Sequence, residues 1–336
     1  MQRGVMDPSL VGSGFSRTVI RVMFAVLACA LARPAFAQET HLIVITGVEA
    51  SPEDGAQFHK WAATLIDAAK RKDGVAEANI LYLADKPDVD RARIRARSTR
   101  EEVDKAFTDV AARARPTDQI FVVLLGHGSF DGHDAAFNLP GPDLKAADYA
   151  KLLQKFGTQR IVFVNTSSSS GGFLAPLAGP NRTIVAATKT GGERLDTLFP
   201  EYFVEALTNE AADKNRDGRI SILEAFDYAK TKVAQVYQQK GNVVTEHAAL
   251  DDGSNGKLAD AMFLESPRAR AAVFASVADP AVRALLEQRQ ALEDQINALK
   301  GRKASMDAAA YEQELEKLVT DLALKTRAIQ QLEKKK

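Results

Sequence analysis

The sequence predicts an α/β protein built on a doubly wound, mostly parallel sheet, and three observations carry that prediction. Short apolar runs rich in β-branched residues alternate along the chain with segments whose apolar residues recur every three or four positions. The runs are apolar almost throughout, as strands are when helices cover both faces of a sheet. Two of them, at 120–125 and 161–164, pass straight into turns of glycine and small hydroxyl residues, the pattern of strands ending at the carboxyl edge of such a sheet.

Taken in order, residues 41–46 (His-Leu-Ile-Val-Ile-Thr) form the first strand, and Phe58, Trp61, Leu65 and Ala69 mark a helix over 56–70. Residues 79–83 supply the second strand. Thr99, with Glu102 three residues on, is a capping-box signature for a helix whose apolar face holds Val103, Phe107 and Val110, closed by Pro116 and Asp118. The strand at 120–125 comes next. A turn-rich excursion, Phe137-Asn138-Leu139-Pro140-Gly141, leads to a helix over 146–156 with Tyr149, Leu152 and Leu153 inward. The strand before Asn165 and another at 183–187 complete the sheet, and helices over 202–207 and 225–239 follow.

The chain divides into a leader at 1–37, an α/β domain at 38–265 and a helical tail at 266–336. Arg3, Arg17 and Arg21 precede an apolar run at 22–31, and Ala35-Phe36-Ala37 offers a cleavage site, so the leader reads as an export signal placing the mature protein in the periplasm or outside the cell. The run is too short to span a membrane, and no transmembrane segment is expected in the mature chain. Cys29 is the sole cysteine and sits inside the leader, where it faintly resembles a lipid-attachment site. Cleavage after Ala37 removes it, so disulfides, thiolate metal sites and a cysteine nucleophile are all excluded from the mature chain. With Lys+Arg and Asp+Glu both at 44, no nucleic-acid partner is indicated.

Residues 213–224 read Asp-Lys-Asn-Arg-Asp-Gly-Arg-Ile-Ser-Ile-Leu-Glu. Oxygen donors occupy loop positions one, three, five, nine and twelve, with glycine at six and an apolar residue at eight, which is the EF-hand pattern for Ca²⁺. The expected ligands are Asp213, Asn215, Asp217, the Arg219 carbonyl, Ser221 and Glu224. Asp251-Asp252-Gly253-Ser254-Asn255-Gly256 has half of that pattern without a terminal acid and reads as a turn. In the tail, Val282, Leu285, Leu292, Ile296 and Leu299, then Leu315, Leu318, Leu322, Ile329 and Leu332, keep a three-four rhythm broken at Gly301. A helical hairpin or short coiled coil follows, long enough for self-association, for folding back on the domain or for reaching a protein partner.

Two strand ends carry candidate chemistry: Leu125-Gly126-His127-Gly128 and Thr166-Ser167-Ser168-Ser169-Ser170-Gly171. Together they resemble the caspase and legumain clan of peptidases, in which one strand ends in His-Gly and the next in acid-Ala-Cys-x-Ser-Gly. The resemblance covers about 42–237 and is nearest to bacterial exported legumain-like proteins carrying an EF-hand-like loop. It implies His127 as the proton-transfer partner and Gly128 as an oxyanion donor, and it places Ser168 where the family has its cysteine. A hydroxyl is a far weaker acid than a thiol and needs an aligned base held by a third group, for which Asp131 or Asp134 is near in sequence. Two readings follow. One is a catalytically silent fold used for binding or assembly; the other is a serine-type peptidase or hydrolase using Ser168 and His127. His59 and Trp61 read as structural, His133 as a loop residue and His247 as unassigned, and the histidine spacings offer no zinc pattern.

Overall fold

The computed structural model describes Met1 and residues 38–302 and 306–333. Apart from Met1, the expected leader, with Cys29 and the cleavage site at Ala37, lies outside the described residues.

The sheet is α/β and mostly parallel, as the alternating pattern requires. Its strands are β1 (Thr40–Thr46), β2 (Ile80–Ala84), β3 (Ile94–Arg97), β4 (Gln119–Leu125), β8 (Arg160–Asn165), β9 (Arg182–Ala186) and β10 (Ala249–Asp251). They lie in the order β10-β9-β8-β4-β1-β2-β3. All neighbours are parallel except β10, which runs antiparallel to β9 at one edge. The chain builds outward from β1 to β3 and then crosses back to start β4 on β1's other side, so the order reverses between β1 and β4. A crevice forms at such a reversal, outside the carboxyl ends of the strands. A small antiparallel sheet of β5 (Gly128–Phe130), β6 (Ala135–Phe137) and β7 (Leu144–Lys145) sits just beyond the end of β4.

Strand alternation divides the core in two. Leu42 and Val44 of β1 turn to a face covered by α1 (Pro52–Arg71), α5 (Phe199–Thr208) and α6 (Ile222–Lys240). Ile43 and Ile45 turn to the other, covered by α2 (Arg100–Arg113) and α3 (Ala146–Leu153). Phe163 on that second face stacks with Phe173, and Tyr149 meets both rings.

Several expectations are corrected. The first helix begins at Pro52, before residue 56, because Ser51 caps it by accepting the Asp54 N–H. β3, β10 and the small sheet were not expected; each is short, and β3 carries Arg95 and Arg97 in place of an apolar run. After a 3-10 turn (Ser170–Phe173) and the short α4 (Leu174–Leu177), the chain enters β9. No side chain caps α4. Past β10 come α7 (Lys257–Asp260) and α8 (Pro267–Ser276), whose N-terminus Ser266 caps. Then come α9 (Pro280–Arg302), which ends one residue past Gly301, and α10 (Ala308–Glu333). α9 and α10 pack through their own cluster of Leu292, Ile296, Leu299, Tyr311, Leu315, Leu318 and Leu322. Among the described residues no helix is long and apolar enough to cross a membrane.

Candidate functional site

The site lies at the sheet reversal. β4 and β8 are adjacent and parallel, so His127, after one, and the serine run, after the other, emerge side by side. Gly126 and Gly47, after β4 and β1, approach so closely that a Cβ on Gly126 would stand 2.9 Å from the Gly47 nitrogen. A Cβ on Gly128 would collide with the Ser168 carbonyl and the Ser167 hydroxyl, which is why the serine loop can close over this strand end.

His127 is held between two carboxylates. Its Nδ1 lies 3.1 Å from Asp196 Oδ1, and its Nε2 lies 3.6 Å from Asp54 Oδ2 in the first turn of α1. Phe58, one turn further along α1, meets the imidazole edge-to-face at 5.3 Å. Among the described residues Nε2 is enclosed without a hydrogen-bond partner. The orienting acid is therefore not Asp131 or Asp134. In the small sheet's turn Asp131 accepts the N–H groups of His133 and Asp134 and pairs with Lys145, while Asp134 meets the His133 ring and accepts from Lys145. Asp196 is far along the chain and was invisible to spacing. Asp54 had one signal, its place three residues after a serine cap.

Ser168 is committed elsewhere. Its hydroxyl donates to the Gly128 carbonyl at 3.0 Å, and its Oγ accepts the Gly128 N–H at 3.2 Å. Imidazole and hydroxyl thus reach consecutive residues of one strand end, yet among the described residues no hydrogen bond joins them. The N–H expected to stabilise an oxyanion is taken by the nucleophile candidate itself.

The other hydroxyls build the loop. Thr166 donates to the Leu124 carbonyl, Ser167 to Asn165 Oδ1, and Ser170 with Thr188 ties the run to the segment after β9. Ser169 adopts φ +59°, a left-handed conformation that costs a β-carbon residue about 1 kcal/mol or more. Its N–H is fixed on the Glu193 carbonyl at 2.7 Å.

Glu193 also accepts the His247 N–H and meets His247 Nδ1 at 3.0 Å, so the unassigned histidine stands beside the serine loop, more than half exposed. It opens on a cavity of about 770 Å³, which runs along β10 and is lined by Phe226, Lys230, Val244 and Leu250 among others. Next to it, Glu246 accepts the N–H groups of Leu198 and Phe199 at the start of α5. Burial pushes its carboxyl above the usual range, against the pull of those two donors. His59 stacks on Tyr82, and Trp61 packs on the core, both structural as expected.

Away from this site, residues 213–224 join α5 to α6. Asp213 accepts the N–H groups of Asp217 and Gly218, Asn215 Oδ1 that of Asp217, and Asp217 Oδ1 that of Arg219. Glu224 Oε1 reaches back to the N–H groups of Lys214 and Asn215, while its Oε2 and Ser221 form the capping box of α6. Gly218 takes φ +82°, the left-handed bend that a glycine accommodates. Among the described residues no Lys or Arg side chain pairs with Asp213, Asp217 or Glu224. Among the same residues no three His, Cys, Asp or Glu side chains gather as a metal cluster by themselves. The half-pattern at 251–256 is a turn: Asp252 accepts from Ser254, Gly256, Leu258 and Ala259 and starts α7.

Residues 99–251, from α2 to β10, match the family model of the Peptidase C13 family, the legumain family. The match includes His127, Ser168 and the 213–224 loop. No curated protein matches the chain. The central sheet with helices on both faces is the caspase- and legumain-like arrangement.

Proposed function

We propose that this chain is an exported protein in which a legumain-like peptidase fold, catalytically silent and stiffened by one Ca²⁺ ion, serves to bind a protein or peptide partner. The observation that carries silence is the Ser168 hydroxyl. It donates to a backbone carbonyl and accepts a backbone N–H on Gly128, whereas general-base activation needs it within about 3 Å of an imidazole nitrogen. His127 Nε2 faces Asp54 at 3.6 Å. A serine alcohol without an aligned base is a poor nucleophile.

Calcium fits the 213–224 loop. Three carboxylates without cationic side-chain partners, one amide, a hydroxyl and a carbonyl suit a hard cation that takes six to eight oxygens. Asp213, Asn215, Asp217, the Arg219 carbonyl, Ser221 and Glu224 would hold it, and bound there it would clamp α5 to α6. The leader at 1–37 supports export to the periplasm or beyond, where ambient Ca²⁺ would keep such a site filled.

One observation favours the second reading, an active serine hydrolase: Asp196 sits on His127 Nδ1 as the orienting acid does in a catalytic triad. Labelling the mature protein with a broad fluorophosphonate separates the two. The silent fold takes no label in wild type, Ser168→Ala or Ser169→Ala. Labelling that disappears only in Ser168→Ala would establish the hydrolase instead.

A further inference from the structure

The calcium loop has an outer side, and the tail is fastened to it. Arg216 at φ +58° and Gly218 at φ +82° bracket Asp217, so its carboxylate stays with the loop's N–H groups while its carbonyl faces the tail helices. That single carbonyl accepts Arg270 Nη2 of α8 at 3.2 Å and Arg289 Nη2 of α9 at 2.8 Å.

The charges around it are enclosed. Arg270 meets Glu265 at 3.7 Å and Arg289 meets Glu293 at 3.3 Å, with all four side chains between 9% and 15% exposed. Arg219, from the loop itself, lies over the Phe263 ring at 3.7 Å. A cavity of about 160 Å³ lined by Lys72, Asp73, Arg219, Glu265 and Arg270 completes the seam.

We propose that the 213–224 loop is the latch of the C-terminal helices, so that metal binding and tail docking are one coupled equilibrium; this rests on the calcium reading above. Two guanidinium groups converge on one carbonyl only while the peptide at 217 keeps its orientation. Without the ion, Asp213, Asp217 and Glu224 repel one another and the loop relaxes. The added negative charge attracts the arginines, but that field is screened, whereas a hydrogen bond is lost within an ångström of displacement. Removing the metal therefore undocks α8 and α9 and frees the α9–α10 hairpin for a partner. By linkage, an undocked tail must weaken the metal.

The test uses the full mature chain, with Ca²⁺ affinity measured by calorimetry and α9 docking by hydrogen exchange, in wild type and Arg289→Gln. Arg289→Gln alters a helix outside the α/β core, and the unchanged melting of β4 and β8 serves as its folding control. The expected results are α9 amides that lose protection on chelation in wild type, and a Ca²⁺ affinity about tenfold lower in the variant. Equal affinities, with α9 protection indifferent to chelation, would overturn the latch and leave the calcium reading standing. No heat of binding and no change in wild-type exchange with Ca²⁺ would remove the calcium reading, and the latch with it.

Discussion

At the scale of single residues, partners decide what each ionisable or nucleophilic group can do. His127 has carboxylates at both nitrogens and Ser168 has backbone at both its donor and acceptor sides, so two residues that the chain order brings together are chemically apart. The sequence located both, because strand ends followed by small residues are readable; it could not show where their hydrogen bonds go. Asp196 lies 69 positions from His127, and nothing in its neighbourhood distinguishes it from a surface acid. Glu293 supplies a prediction at this scale. Burial pushes its carboxyl up to about 7, against Arg289, with Asp217 adding to the rise and Arg219 and Arg270 opposing it. A folded-state value above the unfolded one contributes stability at low pH that is lost as pH rises through about 7. Glu293→Gln should match wild type near about pH 5 and melt higher than wild type near about pH 8.5. A variant that melts lower at the alkaline end would contradict this.

At the scale of elements, caps and loops were more legible than short strands. Thr99 does accept the Glu102 N–H, and Ser221 with Glu224 is both a capping box and the end of the calcium pattern. β3 and β10 escaped because three or four residues carry too little periodicity, and β10 owes its place to pairing with β9. The 213–224 loop makes a thermal prediction. A ligand at roughly 100 times its Kd adds about 3 kcal/mol, on the order of 5 °C for a chain of this size. Chelation should lower the melting temperature by about that much, and Asp213→Ala with Glu224→Ala should erase the difference; a melting curve unmoved by calcium in wild type would refute the site. Asp252 offers an independent check. Burial opposes its ionisation, but the N–H groups of Gly256, Ala259 and Ser254 prevail and hold the carboxyl below its ordinary value. Its stabilisation is present at neutral pH and lost as the solution is acidified. Asp252→Asn sets an amide against two of those N–H groups and should cost about 1–3 kcal/mol at neutral pH, shrinking in acid.

At the scale of the whole molecule, the sheet keeps the two special regions on separate layers. The 213–224 loop belongs to the α1, α5 and α6 face, while the turn after β8 runs into the Phe173 and Leu177 cluster on the other. The fold class was readable from the alternation of strands and helices. The tail's contact with the 213–224 loop was not, because it depends on a backbone carbonyl, which has no side-chain signature. The α9–α10 hairpin has its own apolar cluster, so its opening need not involve the sheet. Leu318→Ala should weaken the hairpin by about 2 kcal/mol, raising hydrogen exchange in α9 and α10 while β4 and β8 keep their protection. Loss of protection throughout the sheet would show a single cooperative unit.

The pairing of Ser168 with Gly128 has a consequence for anything that enters the crevice. The cup in which a peptidase would cradle a carbonyl is stoppered by the protein's own alcohol, so a guest's carbonyl must first evict it and give up about one hydrogen bond, near 1 kcal/mol. Trimming that alcohol to a methyl group would unstopper the cup, and guests that seat a carbonyl there should hold tighter to the trimmed protein than to the natural one.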